Sequence, residues 1–338
     1  MSVQATDLVA YGSASMPDDD TGTNIGGAVS SGSNLIRMVF DDITPSGNVQ
    51  VVSSATGDTT QSVAVSGRDA SGVLISETKT LNGQTAVAMT TNTTWERLLK
   101  AVKSATTTGD VAVESATAVR TGTAQAGTST SITLDSGASG TDDAYKDMII
   151  RITSGTGAGQ IRKISQVGSV AYTGSTKVAT VDRAWGTTPD STSVFRISHG
   201  MYFEKAPNEV FQLRRPFYNS SADVAGGSAK TYYEKIFLTN NNSSLALTAA
   251  TIALQADTSG YVSFALESSL NGTDTNGSGN NRQVAPSGYT FNTTTKNVAN
   301  SQNHTNGAGQ GVWLKLALPA GAAAAKNTFT LRESGTTT

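Results

Sequence analysis

The sequence predicts an all-β chain built as two β-sandwiches with a small β-barrel or β-module between them. Three observations carry that expectation. Apolar residues recur as short alternating runs, as in Ser62-Val63-Ala64-Val65-Ser66, and turn residues close almost every run. The 338 residues exceed what one ordinary core accommodates. Hydrophobic residues make up 37% and charged residues 15%. That balance falls short of an average globular domain. The ordered Val, Ile and Thr alternation nevertheless separates this chain from disordered tracts, which lack it.

Residues 1–34 read as irregular, with Asp18-Asp19-Asp20 after Pro17 and glycines at 22, 26, 27 and 32. Two readings stay open, a flexible arm and an extended arm that docks on a neighbouring subunit. Leu8, Val9 and Tyr11 are the apolar anchors of the second. Residues 35–118 are expected to form the first sandwich. Its strands are Asn34 to Phe40, Val49 to Ser53, Gln61 to Ser66 and Val73 to Thr80, with turns at Thr56-Gly57-Asp58, Asp69 to Gly72 and Asn82-Gly83. Within it, Trp95, Leu98, Leu99 and Val102 follow a helical i, i+3, i+4, i+7 stripe, with Thr93 or Thr94 as N-cap. The favoured reading is one short helix or turn, and the competing one an edge strand with a bulge.

Residues 119–198 alternate as a compact module, through Ser131 to Leu134, Met148 to Ile152, Gln160 to Val167, Lys177 to Val181 and Ser193 to Ile197. A unit of that size sits near the limit of single-core stability. Past His199 the composition changes, since seven of nine Phe and six of nine Tyr lie beyond residue 200. Residues 199–338 therefore read as a larger sandwich, with strands at 235–238, 246–254, 261–266 and 312–318. An Asn/Gly-rich surface loop is expected at 271–281 and a frayed end at Thr336 to Thr338.

The candidate chemistry is thin. Gly155-Thr156-Gly157-Ala158-Gly159-Gln160 has the glycines of a phosphate loop, but a strand-like Ile161-Arg162-Lys163-Ile164 follows where a helix is needed. A hairpin turn is the expectation. Asp274 to Asn280 alternates oxygen ligands as calcium loops do, yet lacks the bidentate Glu at the twelfth position. His199 and His304 have no partners at triad or metal spacing, and Glu204, Glu209, Glu234 and Glu267 are not paired by any motif. No enzyme activity, catalytic residue, metal or cofactor is expected. Lys205, Arg214, Arg215, Lys230 and Lys235 surround the aromatics Phe211, Phe217, Tyr218, Tyr232 and Tyr233. That patch reads either as a core with a charged rim or as a protein-contact surface, where Tyr and Arg concentrate.

Net charge is −2, with no basic face or tail, so no nucleic-acid partner is expected. No apolar run reaches 18 residues and the first residues lack a secretory pattern, so neither membrane insertion nor export by a leader is expected. Without cysteine, disulfides are excluded, and oligomerisation to a dimer or trimer is an alternative source of stability.

Several segments resemble tailed-bacteriophage virion proteins. Asn34 to Phe40, Val73 to Thr80 and Leu81-Asn82-Gly83 resemble phage structural proteins. Gly155 to Gln160, with Ala184-Trp185 and Thr188 to Thr192, resembles a small β-module inserted in such proteins. Arg215-Pro216-Phe217 and Tyr232 to Phe237 look similar to the start of an immunoglobulin-like phage domain. Val312-Trp313-Leu314, Pro319-Ala320-Gly321 and Thr328 to Leu331 resemble its last strands. The resemblance implies a virion component assembled in the host cytoplasm, in contact with the major capsid protein or other virion proteins. The leading expectation is a capsid decoration or cement protein bridging capsid subunits, through the arm and the 203–237 patch. The alternative is a tail or fibre protein binding a receptor or glycan, with Trp185 or Trp313 stacking on sugar.

Overall fold

The computed structural model describes residues 2–38, 42–165, 170–206, 208–218, 228–321 and 328–337. Strand accounts for 49% of the chain and helix for 3%, so the fold is all-β. The expected strand positions Val39, Phe40, Gln166 and Val167, and the terminal Thr338, lie outside the described residues. The chain divides into a terminal unit, Met1–Met38 with Arg215–Thr338, and an inserted unit, Val39–Arg214.

Among the described residues, the terminal unit has two sheets. The larger runs Val262–Leu270, Gly309–Leu318, Lys230–Asn240, Leu8–Ser15 and Ile36–Met38, with Gly26–Val29 also paired to Leu8–Ser15. The smaller runs Lys296–Asn297, Leu247–Asp257 and Phe329–Thr337. Both sheets feed one core. Ile36, Ile236, Phe264, Val312 and Leu314 come from the first, and Leu247, Ala250 and Ile252 from the second. Two faced sheets with inward-alternating side chains make a β-sandwich-like arrangement.

The first 34 residues differ from expectation. Leu8–Ser15 is a strand, antiparallel to Lys230–Asn240 in a continuous register from Leu8 opposite Asn240 to Gly12 opposite Ile236. The segment belongs to its own unit rather than hanging free as an arm. Glycine supplies the close approach that this needs. A Cβ on Gly12 would collide with Met16 and Ile36.

The inserted unit has four groups of strands. One runs Gln212–Arg214, Trp95–Lys103, Ser62–Asp69 and Leu74–Thr80. The next runs Gly200–Phe203, Val111–Ser115, Val49–Ser53 and Val87–Ala88. The third is Arg120–Thr123, Val194–Ser198, Ile149–Ser154 and Ile161–Lys163, and the fourth Ala126–Thr128, Ser131–Thr133, Val178–Thr180 and Tyr172–Thr173. The last two enclose a core of Ile132, Leu134, Ile150, Ile152, Tyr172, Trp185, Phe195 and Ile197. Gly200–Phe203 pairs with Val111–Ser115, and Gln212–Arg214 with Trp95–Lys103. Residues 200–214 thus belong to the inserted unit, not to a sandwich starting at 199. Strand partners this far apart leave no local trace.

The expected helix at 95–102 is a strand, Trp95–Lys103. It is interior, bonded to Ser62–Asp69 on one side and Gln212–Arg214 on the other. Ser66 faces Lys100 while Gly67 faces Leu98, so Leu99 is an extra residue; Arg68 faces Arg97 and Asp69 faces Trp95, so Glu96 is another. These two bulges re-phase the alternation and bury Trp95, Leu98 and Leu99 together. A period-two strand with two insertions imitates a helical stripe. Gly67 is needed opposite, because a Cβ there would strike the Arg97 carbonyl and the Trp95 ring.

The outer strand Leu74–Thr80 is covered rather than bare. The Glu77 carboxylate accepts from the backbone N–H groups of Thr90, Thr91 and Asn92 at 2.7–3.2 Å, and Asn92 Nδ2 donates to the Ser76 carbonyl at 3.0 Å. A loop tied down in this way blunts an edge that would otherwise template pairing.

Candidate functional site

Alternation along Lys230–Asn240 sends Glu234 and Lys235 to opposite faces, and in this strand both faces are buried. Each needs an internal partner, since a buried charge is stable only when paired and hydrogen-bonded. Glu234 accepts from Arg282 Nη2 at 2.9 Å and from the Phe217 N–H at 2.6 Å. Lys235 donates to Glu267 Oε1 at 2.5 Å and to the carbonyls of Gly27, Gly272 and Asp274 at 2.7, 3.1 and 3.1 Å. Its ammonium also lies 4.8 Å from the Phe237 ring centroid and 5.6 Å from that of Trp313. Burial pushes the Lys235 pKa down and that of Glu267 up, each partly offset by the other's charge.

The carbonyls around Lys235 come from the strand Gly26–Val29 and from the loop that follows Leu270, and that loop is tied into the terminal unit by a network of hydrogen bonds. Asn276, buried, accepts from the Ile25 N–H at 2.9 Å and donates to the carbonyls of Asn281 and Val284 at 2.6 and 3.1 Å. Asp274 gives its carbonyl to the Gly27 N–H at 2.9 Å. Asn281 and Gln283 donate to the carbonyl and carboxylate of Asp20 at 3.1 and 3.0 Å. Over this frame Tyr289, half-buried, packs on Trp313 with centroids 5.7 Å apart, and Phe291 meets Tyr233 edge-on at 5.3 Å. The Tyr289 hydroxyl donates to the exposed Asp274 carboxylate. Burial, then that hydrogen bond, raises the Tyr289 pKa well above the usual phenol value.

In the inserted unit, Glu114 is fully buried and takes hydrogen bonds from Gln50, Arg151 and Ser198 at 2.7, 3.0 and 2.8 Å, with Arg196 at 3.3 Å. Lys103 meets Glu209 at 2.7 Å, and Lys205 meets the same carboxylate at 2.8 Å. Burial favours the protonated form of Glu209, but Lys103, Lys205 and the Thr107 N–H outweigh it and hold the pKa at about 2. Tyr202 donates to Asp182 at 2.5 Å; burial raises the pKa of both groups.

The ten residues expected to make an interface do not form one exposed patch. Tyr11, Arg214, Arg215, Tyr218, Tyr232 and Tyr233 are buried. Tyr11 lies under Arg37 at 5.4 Å and accepts from Asn241 at 3.0 Å. Tyr232 faces Arg282 at 5.7 Å, and the Tyr218 carbonyl accepts from the same guanidinium at 2.5 Å. Leu8, Val9, Phe211 and Phe217 are half-buried; Leu8 and Phe217 pack on the terminal core, and Phe211 lies 5.2 Å from Lys103. Arginine beside aromatics marks buried cation–π packing as readily as a contact surface, and here the core reading prevails.

Gly155 to Gln160 is the hairpin between Ile149–Ser154 and Ile161–Lys163, with Gly155, Gly157 and Gly159 all at positive φ. In the Asp274 to Asn280 loop, Asn276 faces inward and Asp274 serves Tyr289, so the alternating oxygens hold the loop together. Trp185 and Trp313 are both buried. His304 sits between Glu333 at 2.5 Å and the Ala308 carbonyl at 2.9 Å, while the His199 carbonyl accepts from Ser115 N–H at 2.8 Å. Among the described residues, no group of three or more His, Asp or Glu is arranged to hold a metal ion, and no helix is long and apolar enough to cross a membrane. The sequence points to Asn276 only as a calcium-loop oxygen, whereas it holds the loop to Ile25, and it does not single out Arg282 or Tyr289. Two aromatics at i and i+2, Tyr289 and Phe291, within a polar loop are the signal that was there to find.

No protein-family model, curated protein or solved structure matches this chain.

Proposed function

We propose that this chain is a structural component of a tailed-phage virion, a decoration or cement protein whose immunoglobulin-like β units bridge capsid subunits. The observation that carries this reading is where the charge is placed. Glu114, Glu234 and Glu267 are buried, and each is held by a cation within its own unit. Such pairs lock strands in register and stiffen a sheet; they offer nothing to a substrate. The pairing of Leu8–Ser15 into the terminal unit adds to this, because load on that segment meets a row of sheet hydrogen bonds. The resemblance of the Arg215 to Phe217 and Val312 to Leu314 segments to phage domains supports a virion as the class of particle. The partners in this reading are the major capsid protein or other virion proteins, and further copies of the chain. Surface for those contacts has to come from loop tips and exposed sheet faces, since most of the 203–237 aromatics are internal.

The test is copy number per virion, by quantitative mass spectrometry against the major capsid protein. Hundreds of copies in a fixed ratio to the lattice are expected. A few copies would move the chain to the tail or a vertex and end the cement reading.

A further inference from the structure

We propose that the loop 271–295 and the segment 16–27 of the terminal unit form a binding site for a neutral carbohydrate, with the Tyr289 ring as stacking surface and the Asp274 carboxylate as hydroxyl acceptor. This stands apart from the virion reading and holds wherever the protein resides.

The loop is built rather than slack. A loop this long in a compact unit is either disordered or functional, and this one is fixed. Buried Asn276, the Asp274 carbonyl shared by Gly27 and Lys235, and the Asp20 contacts tie it at three points. A fourth lies at Asn292, which exchanges backbone hydrogen bonds with Phe264 at 3.1 and 3.3 Å. The Lys235–Glu267 pair lies beneath. A site is held accurately when packed and hydrogen-bonded groups support it from behind, and that is the arrangement here.

The fixed loop displays an aromatic ring and a carboxylate side by side. Tyr289 is backed by the fully buried Trp313, so its ring is held in place while part of it stays in solvent. Its hydroxyl is pinned by Asp274 Oδ2, whereas Asp274 Oδ1 takes no hydrogen bond among the described residues. Gly279 and Gly288 lie on the same loop at positive φ, and open space stands where their side chains would be. Ser278, Gln283 and Ser287 are exposed.

Ring and carboxylate together suit a sugar. A fixed aromatic ring offers a flat apolar face with a polar tip, which suits the C–H face of a pyranose. A carboxylate with a spare oxygen accepts from sugar hydroxyls, and charge-assisted bonds of this kind are the stronger ones. That same charge disfavours uronic acids, sulfates and phosphates, so the ligand class is neutral sugar.

The experiment is affinity electrophoresis of the full chain in native gels containing dextran, laminarin, galactomannan or xylan, with hyaluronan as the anionic comparison. Retardation by at least one neutral polysaccharide is expected, with none by hyaluronan. Tyr289→Ala and Asp274→Asn should each weaken that retardation at least tenfold. Asp274→Asn leaves the backbone carbonyl that Lys235 and Gly27 use, so it decides the matter if Tyr289→Ala unfolds. Free migration in all four neutral gels overturns the proposal. So does retardation that Asp274→Asn leaves unchanged, or equal retardation by hyaluronan.

Discussion

Replacing Lys235 with Met tests whether buried charge organises the terminal unit. The two side chains keep similar length, so the change removes the ammonium and little volume. Four oxygens lose their donor: Glu267 Oε1 and the carbonyls of Gly27, Gly272 and Asp274. Glu267 keeps one hydrogen bond, from the Asp274 N–H at 3.0 Å, and is otherwise an unpaired carboxylate at 1% side-chain exposure. Breaking a buried pair from one side costs about 3–5 kcal/mol. The lower end applies if water reaches the carbonyls. Hydrogen exchange read by mass spectrometry on peptides spanning 230–240 and 309–318 reports this unit alone. Four kcal/mol corresponds to roughly a thousandfold loss of protection. The loss should also depend on pH, with a definite sign. Burial already raises the Glu267 pKa and Lys235 opposes that rise, so Lys235→Met raises it further. A raised carboxylate favours folding while protonated and loses that advantage as pH climbs past its unfolded value. The deficit should therefore be larger at pH 7 than at pH 4. Adding Glu267→Leu should recover part of the loss, because an apolar pair needs no counter-charge. Protection within threefold of the parent at pH 7 would refute the reasoning.

Glu77 and Glu209 each have a pKa held at about 2, against an ordinary 4.5, by backbone N–H groups and lysines that outweigh burial. Depressed carboxylates stabilise above their unfolded pKa and lose that contribution as pH falls from about 4.5 to 2, on the order of 1–2 kcal/mol each after allowing for solvent screening; the urea midpoint of the inserted unit should drop across that window, and Glu209→Gln should flatten the drop. Asn276→Ala removes the three hydrogen bonds of a buried side chain and should open the loop to limited proteolysis between 271 and 295, while peptides from the inserted unit keep their protection; an uncut loop would show that those bonds do not hold it.

Local pattern carried much of this fold. The run Ser62 to Asp69 buries Val63 and Val65 and exposes Ala64, as its alternation implies, and Gly155 to Gly159 turns where its glycines say it turns. Pattern failed where an insertion disturbed it. The bulged Glu96 and Leu99 gave Trp95–Lys103 a helical spacing, and only pairing with Ser62–Asp69 shows the strand beneath. It failed again for residues 1–34, where Gly26 reads as a break but begins the strand Gly26–Val29, and a Cβ there would strike the Asp274 carbonyl. Composition likewise marked Arg and Tyr near 214–233 without saying which side of the protein surface they occupy.

Residue types and nearest neighbours were enough to establish a chain built mainly of β-strands, the absence of disulfides, and where most turns fall. Tertiary structure alone decided the partners. Glu234 and Lys235 are adjacent, yet strand alternation turns one toward Arg282 and the other toward Glu267, 48 and 32 residues away. The same long-range closure brings Ile25 to Asn276 and sets Tyr289 over Trp313. Antiparallel register couples residues by distance along the sheet rather than along the chain, so a local reading cannot see which charges and rings will meet.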